Sequence, residues 1–205
     1  MTHRLMDVRF DLRDRTPEVV DAWAAHFAGV DQVRVQLGDI FQDEADALVS
    51  PANSFGFMDG GIDLAFSEQF GWDLQARVQE RIRRDYHGEL LVGQAFIVPT
   101  LDVVWPHLIC APTMRVPADV SGTPNAFLAF RAALLAVGAH NASGGSPIRR
   151  VACPGLGTAI GRMAPDVCAR QMRAAYDALV LGRTPQLPTL QDAKLWHVRL
   201  TRADL

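Results

Sequence analysis

The sequence has few cysteines, no long apolar run and no apolar leader. The three cysteines, Cys110, Cys153 and Cys168, are an odd number without the spacing of metal ligands. No apolar stretch reaches the roughly 18 residues of a membrane span, and residues 1–7 lack the core of a signal peptide. These absences predict a cytoplasmic protein that binds no metal and does not enter a membrane.

Basic residues are also too few and too dispersed for a general anion-binding surface. The chain has 20 Lys and Arg against 23 Asp and Glu, a formal net charge of −3. The densest basic run, residues 77–84, is interrupted by Glu80 and is typical of a solvated helix face. A nucleic-acid footprint would need clustered Lys and Arg. An anionic ligand therefore has to be held by local groups.

The hydrophobic pattern predicts strands that alternate with helices in one domain of 205 residues. Apolar and charged residues alternate over 6–12, which predicts a strand at a sheet edge with one wet face. A helix follows from Thr16 to about residue 29. Further strands are predicted at 33–37, 45–49, 90–99, 103–111, 148–153 and 195–200, and further helices at 64–82, 123–138 and 165–181. This order predicts a mixed sheet covered by helices.

Three segments that follow predicted strands combine glycine with a few polar groups. They span residues 38–40, 50–63 and 154–162. Glycine has no Cβ and can take positive φ, so such a backbone can approach a ligand closely. Because ligands gather at strand ends in open α/β sheets, these segments are the candidate binding site.

Each polar residue in these segments has a functional and a structural interpretation. Asp39 can accept the amino hydrogens of an adenine while the amide of Ile40 donates to a ring nitrogen, or it can cap its own turn. Asn53 can bind a ribose diol or its own backbone, and Asp63 can orient a water or favour a helix start. The later glycines can aim amides at an anion, helped by the uncapped helix start at Pro165, or form an ordinary strand-to-helix turn.

The order and spacing of the three segments resemble the macro domain, an ADP-ribose-binding family. Its first loop follows a Gly-Asp-Ile turn and runs from an Asn-Ala-Ala-Asn-like tetrad, here Ser50–Asn53, into a Gly-Gly-hydrophobic-Asp turn, here Gly60–Asp63. Its second loop resembles Gly155–Arg162. The resemblance covers about residues 33–181 and implies a three-layer α/β/α sandwich with a mixed, roughly six-stranded sheet. Within a single domain of residues 1–205, residues 1–32 add a strand and a helix, and residues 182–205 form a C-terminal extension.

The resemblance also implies roles for individual residues. Adenine would lie at the first segment, the distal ribose at the second, and the diphosphate between the two glycine-rich loops. The implied ligand-binding residues are Asp39, Ile40, Asn53, Gly60, Gly61, Ile62, Gly155, Gly157, Thr158, Ala159, Ile160, Gly161 and Arg162, and the implied catalytic residues are Asn53 and Asp63. The partner would be ADP-ribose, or an ADP-ribosylated protein or small molecule. Nucleic acid is expected only as an ADP-ribosylated substrate, and no cofactor is expected.

The departures from the family pattern leave two activities open. The first Asn of the tetrad is Ser50 here. MacroD-type hydrolases carry a histidine four residues after the aspartate, where this chain has Ser67. Terminal ADP-ribose glycohydrolases, which the chain also resembles, need a lysine in the first helix and an aspartate in the second loop, and the matching region offers Ser67 and Gly161. Retention of Asn53 and Asp63 favours a hydrolase slightly over a non-catalytic reader.

A thiol nucleophile is the remaining catalytic interpretation. Cys153 or Cys168 would need a histidine as base, and His87, His107 and His140 lie on unrelated segments. The sequence therefore disfavours it.

Overall fold

The computed structural model describes residues 5–202, so the first four residues of the predicted N-terminal extension and the last three of the C-terminal one lie outside it. The strands are β1 (Arg9–Asp14), β2 (Val33–Leu37), β3 (Ala47–Ser50), β4 (Phe96–Pro99), β5 (His107–Cys110) and β6 (Arg150–Cys153). The helices are α1 (Pro17–His26), α2 (Gly61–Phe70), α3 (Asp73–Asp85), α4 (Asn125–Ala142), α5 (Pro165–Leu179) and α6 (Leu190–Thr201).

The six strands form one sheet in the order β2-β1-β6-β3-β5-β4. All neighbours pair in parallel except β4, which is antiparallel to β5. Phe10 and Leu12 face one core with side chains of α1, α4 and α5, while Leu48 and Leu108 face a second core with side chains of α2 and α3. Helices therefore cover both faces, which confirms the predicted three-layer sandwich with a mixed six-stranded sheet.

The predicted edge position and wet face of the first strand are wrong. β1 pairs with β2 on one side and β6 on the other, so it is an interior strand. Its polar residues are also buried, with Asp11 5% and Arg13 3% exposed. Arg13 forms an ion pair with Asp43, and Asp11 accepts a 2.5 Å hydrogen bond from Arg150. These partners come from distant segments, and they replace the water that the alternation of β1 predicted.

Two helical segments also differ from prediction. The helix predicted at 64–82 is two helices, because Gly71 takes a φ of +83° between α2 and α3. The strand predicted at 195–200 is instead part of α6. Thr189 accepts a hydrogen bond from the backbone of Asp192, whose side chain accepts one from the backbone of Thr189, and this capping box starts the helix. Within residues 5–202, no helix is both long and apolar enough to span a bilayer.

The sheet order sets the position of the candidate site. β1, β6 and β3 are neighbours that run in the same direction. Their carboxyl ends, at Asp14, Cys153 and Ser50, therefore meet along one edge, and the glycine-rich loops follow β3 and β6 there.

Candidate functional site

A cleft of about 390 Å³ opens at this edge of the sheet. It lies in the volume range of small-molecule sites. The predicted site residues that line it are Asp39, Ile40, Asn53, Gly60, Gly61, Ile62, Asp63, Gly155, Gly157, Thr158, Ala159, Ile160 and Gly161. Arg162 is exposed and is not among the residues that line the cleft. The fold thus brings three segments that are far apart in sequence to one concave surface.

Asn53 holds the shape of the first loop. Its Nδ2 donates to the carbonyl of Phe57 at 2.8 Å, and its Oδ1 accepts from the amides of Phe55 at 3.1 Å and Phe57 at 3.3 Å. The side chain of Asn53 therefore binds the backbone of its own loop, as the structural interpretation of this residue predicts. Since an amide nitrogen carries two hydrogens, one donor remains for a group in the cleft.

Asp63 occupies an unusual environment for a carboxyl group. It lies in the first turn of α2 and is only 7% exposed. Burial raises its pKa from 3.8 to about 7, although the Ser50 hydroxyl, which donates to Oδ1 at 2.5 Å, opposes this rise. Ser50, the departure from the family tetrad, is thus the hydrogen-bond partner of Asp63. A cleft-lining carboxyl with such a pKa can exchange a proton near neutral pH.

At the start of α2, no protein acceptor within residues 5–202 binds the cleft-lining backbone amides of 60–63. Gly60 is the N-cap residue of this helix and provides no side-chain cap. The first amides of a helix have no intrahelical acceptor, and the positive end of the helix dipole lies at the same place. The segment from Gly60 to Asp63 can therefore bind an anion.

The second loop offers a matching set of donors. Among the described residues, no protein acceptor binds the amides of 157–161. The loop is held in place by other bonds: Asp14 accepts from the amide of Gly155 at 3.0 Å, and Gly157 accepts from the amide of Met163 at 2.9 Å. The loop thus has a fixed shape and still leaves a run of amides free to donate.

The two loops approach each other across the cleft. A Cβ added to Gly61, which has a φ of +57°, would lie 3.8 Å from Cδ1 of Ile160. Gly161 is close-packed in its own loop, since an added Cβ would lie 2.6 Å from the carbonyl oxygen of Gly157. An anion between the loops would therefore meet donors from both sides.

Asp39 lies at the other end of the cleft and has local partners. It accepts a hydrogen bond from the amide of Phe41 at 3.0 Å and forms an ion pair with Arg15. The backbone hydrogen bond and the arginine lower the pKa of Asp39, so the carboxylate stays ionised. Asp39 can cap its own turn and still accept hydrogen bonds from a ligand, because a carboxylate has about four acceptor positions.

The sequence predicts that the helix from Thr16 to Ala28 supports the adenine side of the cleft, but it does not identify which residues of the first strand and helix line it. Asp14, Arg15, Thr16 and Val19 all line it. The signal was present, because residues after a parallel strand lie at the ligand-binding edge.

Ser67 replaces the histidine or lysine expected of the related hydrolases. Its side chain is buried and donates to the carbonyl of Met58 at 2.8 Å. It is not one of the residues lining the cleft. The side chain at this position thus supports the first loop in this chain.

The cysteines have the environment of core residues. All three are buried. Burial raises the pKa of Cys168 to about 12 and raises those of Cys110 and Cys153 as well. A nucleophilic cysteine needs its thiolate, so this environment disfavours a thiol mechanism. Among residues 5–202, no three His, Cys, Asp or Glu side chains are grouped as metal ligands would be.

Comparison with known proteins identifies the family. The Macro domain family model matches residues 49–172. An uncharacterized protein of Aquifex aeolicus is 31% identical over 140 residues, covering 68% of this chain and 78% of the relative. One from Aeropyrum pernix is 31% identical over 153 residues, covering 74% of each. The chain belongs to the Macro domain family.

Solved structures show the same fold. The macrodomain of Mycobacterium tuberculosis DarG aligns with a TM-score of 0.59 at 24% identity, over 70% of this chain and 89% of that one. A mutant macrodomain of Oceanobacillus iheyensis with ADP-ribose aligns with a TM-score of 0.60 at 16% identity, over 80% of this chain and 88% of that one. At these identities the similarity concerns the fold.

Proposed function

We propose that the cleft binds ADP-ribose or an ADP-ribosyl group and hydrolyses the linkage that joins the group to its acceptor. The observation that carries the binding proposal is the pair of facing loops, Gly60–Asp63 and residues 157–161, whose amides are free to donate. A diphosphate needs such converging donors. The Oceanobacillus iheyensis macrodomain with ADP-ribose, which shares the fold, supports the same ligand.

The polar groups at the two ends of the cleft set the direction of the ligand. Asp39 accepts the amino hydrogens of adenine, and the amide of Ile40 donates to the ring. The distal ribose lies beside Asn53, whose remaining Nδ2 hydrogen donates to a hydroxyl. The diphosphate lies between, and it holds the distal ribose close to Asp63.

Hydrolysis needs a base near the distal ribose, and Asp63 is the base we propose. With its pKa raised to about 7, the carboxyl can take a proton from water at neutral pH. The water oxygen then bonds to the carbon of the linkage, the bond to the acceptor breaks, and the acceptor leaves with the proton that Asp63 accepted from the water. Ser50 holds the carboxyl in position through its 2.5 Å hydrogen bond.

Binding is tested by calorimetric titration with ADP-ribose. Gly60→Ala is the sharpest variant, since an added Cβ meets no protein atom within 4 Å and the φ of −152° suits any residue. We expect unchanged stability and a loss of affinity, because the variant adds a methyl group to a cleft-lining backbone position that the diphosphate has to approach closely. Gly122→Ala, also free of contacts within 4 Å but outside the cleft, is the control. Full affinity in Gly60→Ala would contradict this placement of the diphosphate.

Turnover is tested separately with an ADP-ribosylated protein and with O-acetyl-ADP-ribose. We expect release of ADP-ribose from at least one substrate and its loss in Asp63→Asn. Turnover that survives this change would refute the role of Asp63. Binding without turnover on any acceptor would assign the protein as an ADP-ribose reader.

A further inference from the structure

A second cavity, of about 490 Å³, lies among α1, α5 and α6. It shares no lining residue with the cleft. α6 and the segment before it, which supply Arg183, Pro185, Trp196, Arg199 and Leu200, follow the part of the chain that matches the family model, residues 49–172. Most of the cavity wall therefore lies outside the residues that the family model matches.

The charge of the cavity opposes that of the whole chain. Four arginines line it, Arg170, Arg173, Arg183 and Arg199, against a single carboxylate, Asp177. The chain as a whole carries a formal charge of −3. Such a local concentration of positive charge raises the local concentration of anions.

The nearby carboxylates already form ion pairs with other arginines. Asp177 lies 2.7 Å from Arg173, and Asp166 lies 3.4 Å from Arg170. Arg183 and Arg199 are exposed, and within residues 5–202 neither has a carboxylate partner within 4.0 Å. Two guanidinium groups can thus serve a ligand without breaking an ion pair.

An aromatic ring forms another part of the wall. Trp196 lines the cavity and is half-buried. An edge contact with Phe127, with ring centroids 6.3 Å apart, holds the indole in one orientation. A ring fixed in this way is a platform on which a planar group can stack, with little loss of side-chain freedom on binding.

We propose that this second cavity binds a free nucleotide, with its phosphate on Arg183 and Arg199 and its base against Trp196. Guanidinium groups bind phosphate oxygens through charge-assisted hydrogen bonds that are stronger than neutral ones. An aromatic base is the planar group that stacks on indole. The volume of about 490 Å³ lies within the range of small-molecule sites.

The test is a fluorescence titration of the full chain with GMP. Trp196 reports on the second cavity, and no described tryptophan lines the cleft. We expect GMP to change the fluorescence, ribose 5-phosphate and guanosine to bind more weakly, and Trp196→Phe to abolish the change.

The arginines are tested by the double variant Arg183→Gln with Arg199→Gln. Both side chains are exposed, so the melting temperature should be unchanged while GMP affinity falls on the order of tenfold or more. Lys194→Gln, an exposed cation of α6 outside the cavity wall, is the matched control and should keep full affinity.

Three results would overturn the proposal. The first is no response to GMP up to about 1 mM, the weak end of specific binding. The second is a response that persists in Trp196→Phe. The third is tighter binding of a phosphorylated oligonucleotide than of GMP, lost in the arginine variant, which would assign the cavity to a nucleic-acid strand.

Discussion

Replacing Asp63 by asparagine should make the protein more stable at neutral and alkaline pH. Asparagine has the shape of aspartate, and its carbonyl oxygen can accept the Ser50 hydroxyl that donates at 2.5 Å, but it cannot ionise. The side chain is only 7% exposed, so ionisation in the folded state lacks most of its hydration. The variant removes this cost and leaves the packing unchanged.

The magnitude follows from the raised pKa of Asp63. Between its ordinary pKa of 3.8 and its folded-state pKa of about 7, the folded chain holds a proton that the unfolded chain has lost. The stability from this group is therefore fully present below pH 3.8 and is lost as pH rises through about 7. At about 1.4 kcal/mol per pKa unit, the loss amounts to roughly 4 kcal/mol.

The assay is urea unfolding at constant ionic strength from about pH 4 to about pH 8, on wild type and variant. The difference in free energy of unfolding should shift in favour of Asp63→Asn as pH rises, by several kcal/mol over the range. Asp59→Asn, an exposed aspartate at the rim of the same cleft, is the matched control. A difference between Asp63→Asn and wild type that does not change with pH would show that the carboxyl is hydrated in the folded state.

Three further changes test other parts of the structure. Asp39→Ala should weaken ADP-ribose binding by on the order of 1.5–3 kcal/mol in calorimetry, since it removes a charge-assisted hydrogen bond to adenine; unchanged affinity would refute the adenine placement. Gly161→Ala should lower both the melting temperature and ADP-ribose affinity relative to the control Gly122→Ala, because its Cβ would lie 2.6 Å from a carbonyl oxygen; a shift no larger than the control's would contradict that packing. Deleting residues 1–30 removes β1 from the middle of the sheet and should lower stability and solubility; an unchanged melting temperature would show that this segment is not part of the fold.

The sequence predicted the elements that have local signals. The alternation of apolar and polar residues, together with glycines that end the segments, predicts strands at 33–37 and 148–153, close to β2 and β6. The spacing of the glycine-rich loops predicts the family, because close backbone approach restricts residue choice at each position. α6 could have been predicted too, since Thr189 and Asp192 have the spacing of a capping box.

The position of β1 depends on partners that are distant in sequence. Period-two alternation predicts a strand, but it does not show whether the polar face meets water or other charged groups. Here Arg13 and Asp11 meet Asp43 and Arg150. Local patterns do not show which strands pair over such distances. They therefore do not predict that Asp14 and Arg15 line the cleft.

Asp63 shows why a catalytic role and a structural role need not exclude each other. Its place in the first turn of α2 favours negative charge, because the positive end of the helix dipole lies there. Its burial favours the neutral form, and burial is the largest cause of the shift to about 7. The two effects oppose each other, and Ser50 adds a hydrogen bond that favours the charged form. A carboxyl balanced in this way is destabilising when ionised, and the same balance gives it the proton affinity that a base needs near neutral pH. The stability that Asp63→Asn gains above pH 7 should therefore be accompanied by loss of turnover, since both effects arise from one buried carboxyl.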